Sequence, residues 1–320
     1  MFLAFLTERK VAIMLNPLDH IKYYYEIIVA QDRDFFSSKT DIEKEVMYYK
    51  EQFNGKRVLC NCNDIISSFG EFFNEHFDEL NLKSLTLTGY TDQKNVADMV
   101  YRRLNSDNVM ITPIDSQTGK GDWTAMLKSA DIVVTNPPAR QIGMMIRTLI
   151  AHNKKFLLMA NLNAVMYADI LPYFVRKKIT VGVTRPCYFY PSAEWYVLGN
   201  KVVPLGNMIW LTNMDCGVER LPLPLTESIH DPENTEKYPT VDGTDIVWVN
   251  KVKEIPYDYT GLMAVPVNYI QVHNPNQFRI VGEVNHGQDN VYDYAKPIVD
   301  GETKYKHLVI CRTEEGNDHD

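Results

Sequence analysis

The chain has 320 residues, 45% of them apolar, which is enough to bury a core for one large α/β domain or two smaller ones and argues against wholesale disorder. Its formal net charge of −8 argues against a protein that coats nucleic acid indiscriminately, while leaving room for a local basic groove. The five cysteines, Cys60, Cys62, Cys187, Cys216 and Cys311, are odd in number and scattered, so they suggest a reducing cytoplasm rather than a disulfide framework. Neither the N-terminus, apolar for only about one helical turn, nor any later run reads as a signal peptide or a membrane span.

Residues 1 to about 31 suggest a helical lead-in carrying the cluster Tyr23-Tyr24-Tyr25. Ile42, Val46, Tyr49 and Phe53 recur at three- and four-residue steps and predict an amphipathic helix over 41–53. An alternation follows. Strands are expected at 57–61, 84–88, 108–112, 131–135, 155–160, 179–183 and 208–213. Helices are expected at 66–80, 95–104, 124–129, 140–152 and 164–176. Short apolar strands alternating with helices predict an α/β fold with a mostly parallel, seven-stranded sheet covered on both faces. Ligands of such sheets bind beyond the carboxyl ends of the strands. After about residue 216, prolines at 222, 224, 232, 239, 256, 266 and 275 indicate a loop-rich extension with short strands such as Asp245–Val249. The expected organisation is a lead-in over 1–32, a main domain over 33–216 and an extension over 217–320.

The chemistry concentrates at Thr135-Asn136-Pro137-Pro138, directly after a buried strand. Two prolines stop the strand and fix the direction of the Pro137 carbonyl. Beside it, the Asn136 amide offers a second acceptor. An exocyclic amino group has two N–H donors, so this pair could grip it and aim its lone pair at an electrophilic methyl group. Asn-Pro is also a common turn initiator, and that plain reading stands beside the chemical one.

The run Asp131-Ile-Val-Val-Thr-Asn136-Pro137-Pro138 resembles the catalytic strand and loop of the EcoRI-type adenine-specific (N6) DNA methyltransferases. The likeness also takes in Asp41-Ile-Glu-Lys-Glu, Val58-Leu-Cys-Asn-Cys-Asn-Asp64, Lys154–Asn161, Trp210–Asp215, Tyr257–Pro266 and Asn274-Pro-Asn-Gln-Phe278, in one order. It implies a Rossmann-like class I methyltransferase fold, S-adenosyl-L-methionine as cofactor and double-stranded DNA as partner. Asn136, Pro137 and Pro138 fall at the catalytic positions. For the cofactor, the resemblance implies Asp34, Phe35 and Ser37, then Asn61, Cys62, Asn63 and Asp64 in the turn after the first strand. Asp122 and Trp123, in Gly119-Lys-Gly-Asp122-Trp123, would flank its adenine. Phe36 and Ser38 depart from the tyrosine and glutamine of the family's segment.

A larger departure follows the loop. The family ends it with an aromatic residue that stacks on the flipped-out adenine, whereas this chain has Ala139. One base–aromatic stack is worth about 1–3 kcal/mol, so its loss implies a rate lower by about 10- to 100-fold. Tyr188, Phe189 and Trp195 are candidates to supply the missing ring, against the plainer role of closing a core. Pro186-Cys187 resembles the nucleophile of cytosine-5 methyltransferases, but its surroundings lack that family's ordering. The histidines show no metal spacing, so no metal is expected. Lys154-Lys155 and Arg176-Lys177-Lys178 are either solvated helix ends or phosphate contacts. Two functions therefore stand at this point. One is an active DNA adenine methyltransferase of a restriction–modification system; the other is a degenerate relative that binds the cofactor, DNA or a protein partner without methylating.

Overall fold

The three- and four-residue spacing of Ile42, Val46, Tyr49 and Phe53 yields the helical segment it predicts. In the computed structural model it runs as α1 (Lys39–Val46), a 3-10 turn (Met47–Tyr49) and α2 (Lys50–Phe53). All four side chains are 0–1% exposed, each burial contributing about 1.5–3 kcal/mol. The structure describes residues 36–61, 67–89, 99–105, 109–113, 123–137, 139–190, 203–204, 206–234, 236–287 and 291–313. The expected lead-in helix lies outside them.

The chain divides into two units, one comprising residues through Asn136 with Pro186–Leu205, the other Pro137–Arg185 with residues from Gly206 onward. In the first unit, β1 (Phe36–Ser37) precedes α1, and β2 (Arg57–Cys60) follows α2. Next come α3 (Ser68–Glu75), β3 (Ser84–Gly89), β4 (Met99–Arg103), β5 (Val109–Pro113), α4 (Trp123–Ser129) and β6 (Ile132–Thr135). Helix α3 starts where Ser67 caps it, its hydroxyl accepting from the Gly70 amide at 3.0 Å. Its Phe72 and Phe73 pack edge to face, with ring centroids 5.1 Å apart.

Strand order in this unit is β5-β4-β3-β2-β6, and β2 pairs in parallel with both β3 and β6. The remaining pairs, β3–β4 and β4–β5, are antiparallel. Two expectations are corrected here. Residues 99–103 form a strand, not part of a helix over 95–104. Val100 and Tyr101 are types that favour strands, and hydrogen bonding on both sides, to β3 and β5, outweighs any local helical preference. Because β4 pairs antiparallel with both β3 and β5, the sheet is mixed rather than mostly parallel.

Strand β9 (Tyr188–Tyr190) and β10 (Val203–Pro204) also belong to the first unit, and β9 runs antiparallel between β1 and β10. Phe36 lies opposite Tyr190, and Ser37 opposite Phe189.

The second unit begins with α5 (Ile142–Ala151), close to the expected helix. The Asp169 carboxylate packs directly over Gly143, so a larger residue there would have to displace that side chain. Strands β7 (Lys155–Asn161), β11 (Met208–Thr212) and β8 (Thr180–Val181) then pair antiparallel in that order. The helix expected over 164–176 is shortened to a 3-10 segment (Leu162–Met166) and α6 (Leu171–Val175). The Asn161 side chain, accepting from the Asn163 amide at 2.9 Å, starts the first, and Pro172 opens the second.

The C-terminal residues are more regular than their prolines suggest. Strands β12 (Val247–Trp248), β13 (Met263–Pro266), β14 (Phe278–Val284), β15 (Asp293–Ala295) and β18 (His307–Arg312) form a sheet in the order β12-β13-β18-β14-β15. A hairpin of β16 (Ile298–Val299) and β17 (Glu302–Thr303) stands beside them in sequence. Val241, Ile246, Trp248, Ala264, Val284, Val299 and Val309 form the core of this part. Among the described residues, no helix is long and apolar enough to cross a membrane.

Candidate active site

Strand β6 is fastened at both ends. At its start, Asp131 accepts from the Arg57 backbone amide at 2.9 Å and from the Arg57 guanidinium at 3.0 and 2.7 Å. The guanidinium holds this carboxyl well below the usual range, at about 2. The acidic residue that opens the motif is therefore a strand tether.

At the other end, the Thr135 hydroxyl donates to the carbonyl of Asn61, the residue that follows β2. The Asn61 side-chain oxygen in turn accepts from the Thr88 hydroxyl on β3, at 2.9 Å. Thr88 and Thr135 are both 0% exposed, so these bonds form away from water. The carboxyl ends of three adjacent strands are thus stitched together, and Asn61 and Asn136 emerge from neighbouring strands. Such strand ends are where α/β sheets bind ligands.

Ser37 joins this group from a distant part of the sequence. The Asn136 amide nitrogen donates to the Ser37 hydroxyl over 3.4 Å. Ser37 is 5% exposed, and its carbonyl accepts from the Ser68 hydroxyl. With the amide nitrogen directed at Ser37, the opposite end of the Asn136 side chain is its carbonyl oxygen. That is the acceptor an exocyclic amine requires.

The expected residues fall as follows. Ser37, Asn61 and Asn136 are brought together. Pro137 is buried, and Ala139 is exposed in the turn before α5. Tyr188 and Phe189 sit on β9, beside β1. Their rings alternate as strand neighbours must: Tyr188 is 46% exposed, whereas Phe189 is 1% exposed. Tyr188 is therefore the accessible ring of the two. The backbone of Trp123 starts α4. Asp34, Phe35, Cys62, Asn63, Asp64, Asp122, Pro138 and Trp195 lie outside the described residues. Cys60 is buried and Cys187 half-buried, and neither forms a disulfide among the described residues. No cluster of three metal-ligating side chains occurs among the described residues.

Sequence reading missed the part played by Thr88, Thr135 and Ser68, which hold the strand ends and Ser37. Hydroxyls close to the ends of two strands, Thr88 and Thr135, are the signal the sequence offers.

The basic clusters belong to the second unit. The Lys155 ammonium donates to the Asn213 carbonyl at 3.1 Å. Lys177 and Lys178 line a cavity of about 440 Å³ with Arg220, His273 and Asn274. Burial, reinforced by the Arg220 and Lys177 charges, lowers the His273 imidazole to about 4.

The family described as adenine-specific methyltransferase EcoRI matches residues 28–315. The chain is 34% identical over 278 residues to the type II methyltransferase M.EcoRI of Escherichia coli, covering 78% of this chain and 85% of that protein. It is 32% identical over 271 residues to the type II methyltransferase M.MgeORF184P of Mycoplasma genitalium, covering 79% and 83%. With the type II methyltransferase M.MpnI of Mycoplasma pneumoniae it shares 31% identity over 278 residues, covering 81% and 85%. No solved structure gives a significant match.

Proposed function

Because this chain belongs to the EcoRI-type adenine-specific DNA methyltransferase family, we propose that it methylates N6 of adenine in double-stranded DNA, as the modification enzyme of a type II restriction–modification system. The scaffold would be a Rossmann-like class I methyltransferase fold, with residues 33–216 catalytic. The extension over 217–320, with the loop at 184–200, would read the target.

The observation that carries this reading is the Asn136 side chain at the end of β6, its amide nitrogen directed at Ser37. Asn136 Oδ1 and the Pro137 carbonyl would accept the two N–H bonds of a target amine. Holding both hydrogens turns the nitrogen lone pair out of conjugation and fixes its direction. The base must leave the duplex stack to reach such a pocket, at a cost of a few kcal/mol.

S-adenosyl-L-methionine fits the residues present. A methionyl group needs hydrogen-bonding partners at its amino and carboxylate ends, and the Ser37 hydroxyl and the Asn61 amide stand at the carboxyl ends of the strands. When bound, it would supply a methyl on a sulfonium sulfur, transferable in one in-line displacement without a covalent enzyme intermediate. Ser37 would orient its methionine end while holding Asn136. Asp34, Phe35, Cys62, Asn63, Asp64, Asp122 and Trp123 would complete its pocket.

The exposed Ala139 motivates a second reading, a homologue that keeps the pocket without methylating. Expression in a host lacking other adenine methylation decides between them. N6-methyladenine should appear in host DNA, and its absence from cells containing folded protein would favour the silent homologue.

A further inference from the structure

Asp41 is a buried carboxylate, 4% exposed, in the first turn of α1. No lysine or arginine pairs with it among the described residues. A carboxylate in that setting needs other partners. It finds them 146 residues away in sequence. One of its oxygens, Oδ2, accepts from the backbone amides of both Cys187 and Tyr188, each at 2.8 Å. The α1 first turn adds the favourable end of the helix dipole.

The geometry around this oxygen is a clamp. The Tyr188 amide is held by Asp41, and the Tyr188 carbonyl accepts from the Ser38 amide at 3.0 Å. Ser38 is the residue before α1 and the residue after Ser37. Beyond Tyr188, Phe189 pairs with Ser37 and Tyr190 with Phe36. The register of β9 against β1 is thus fixed at one end by Asp41. A slip of one residue would exchange the exposed Tyr188 ring for the buried Phe189 ring. It would also carry Ser37 away from Asn136.

We propose that Asp41 is a positioning residue for methyl transfer, acting as an acceptor of fixed location that sets the Ser37 hydroxyl against Asn136 and keeps the Tyr188 ring on the exposed face of β9. It touches neither cofactor nor base. What matters is where the oxygen lies, because one neutral amide oxygen can accept the same two bonds. The proposal rests on the methyltransferase reading above.

Three variants test it. Asp41→Asn keeps an acceptor in place without the charge; Asp41→Glu keeps the charge but moves the acceptor by one methylene; Asp41→Ala removes both. Each is assayed for kcat and for KM toward S-adenosylmethionine and DNA, at a temperature well below its Tm. Amide hydrogen exchange is followed over 186–190. Asp41→Asn should stay within about threefold of wild type. Asp41→Glu and Asp41→Ala should lose about 10- to 100-fold in kcat/KM, as expected for the loss of two hydrogen bonds, with faster exchange over 186–190. If Asp41→Ala fails to fold, the Asn and Glu variants decide between location and charge. Full activity in Asp41→Glu, or equal loss in Asp41→Asn and Asp41→Glu, would overturn the proposal while wild-type activity keeps the methyltransferase reading. A wild-type protein that is folded and transfers no methyl group overturns that reading, and the proposal with it.

Discussion

In the first unit, Asn61 and Asn136 stand at the ends of adjacent strands and are engaged by the hydroxyls of Thr88 and Ser37. In the second, side-chain amides turn back onto the main chain. Asn213 accepts from the Phe156 amide at 3.0 Å and donates to the Lys154 carbonyl at 2.9 Å. Gln277 brackets Leu223, accepting from its amide and donating to its carbonyl at 2.7 and 2.8 Å. Asn274 donates to the Arg220 carbonyl and accepts from the Asn276 amide. The same residue types, in runs that all resemble one family, thus meet at strand ends in one unit and anchor loops in the other. Extended segments such as 217–224 leave backbone groups without ladder partners, and these side chains supply them.

The contrast can be broken most forcefully at Asn136. Asn136→Ala should lower kcat by about 10²- to 10³-fold, the usual cost of removing one preorganised polar group at a reacting centre, with little change in Tm. Transfer of labelled methyl groups to DNA measures the first and calorimetry the second. A large loss of stability with unchanged turnover would move Asn136 into the anchoring class. Next in size is a gain. Ala139→Phe should raise kcat/KM about tenfold, the value of a modest base–aromatic stack. An unchanged rate would mean that another ring, with Tyr188 the exposed candidate, already fills that place. The smallest effect on activity is expected at Asn274. Asn274→Ala should cost about 1–3 kcal/mol of stability, because it removes both main-chain hydrogen bonds of a buried side-chain amide. Urea unfolding would show it as a lower midpoint, with kcat intact at temperatures where the variant is folded.

Much of the fold was legible where a pattern is local. The α1–α2 segment followed from its periodicity, and β6 from a short apolar run ending in Asn-Pro-Pro. Strand β4 was not legible as a strand, because its pairing with β3 and β5 is supplied by the tertiary structure rather than by its own sequence. The proline-rich C-terminal stretch hid a five-stranded sheet for the same reason: its order depends on partners far along the chain. At the site, Asn136 could be singled out by its neighbours in sequence. Its bond to Ser37 could not, since 99 residues separate them. Only the family resemblance drew attention to Ser37, and nothing in composition or spacing pointed to Asp41 as the residue that holds β9.

The double fastening of β6 meters the chain. Between Asp131, tied to Arg57, and Thr135, tied to Asn61, three residues span a fixed distance. The strand therefore cannot be paid out or drawn in to suit its loop. Asn136 emerges at the carboxyl end of β6 only because the count between the two ties is right, and one residue more or fewer would deliver a different side chain to that place. The run of plain apolar residues before the motif thus carries information through its length, a quantity that no single substitution alters.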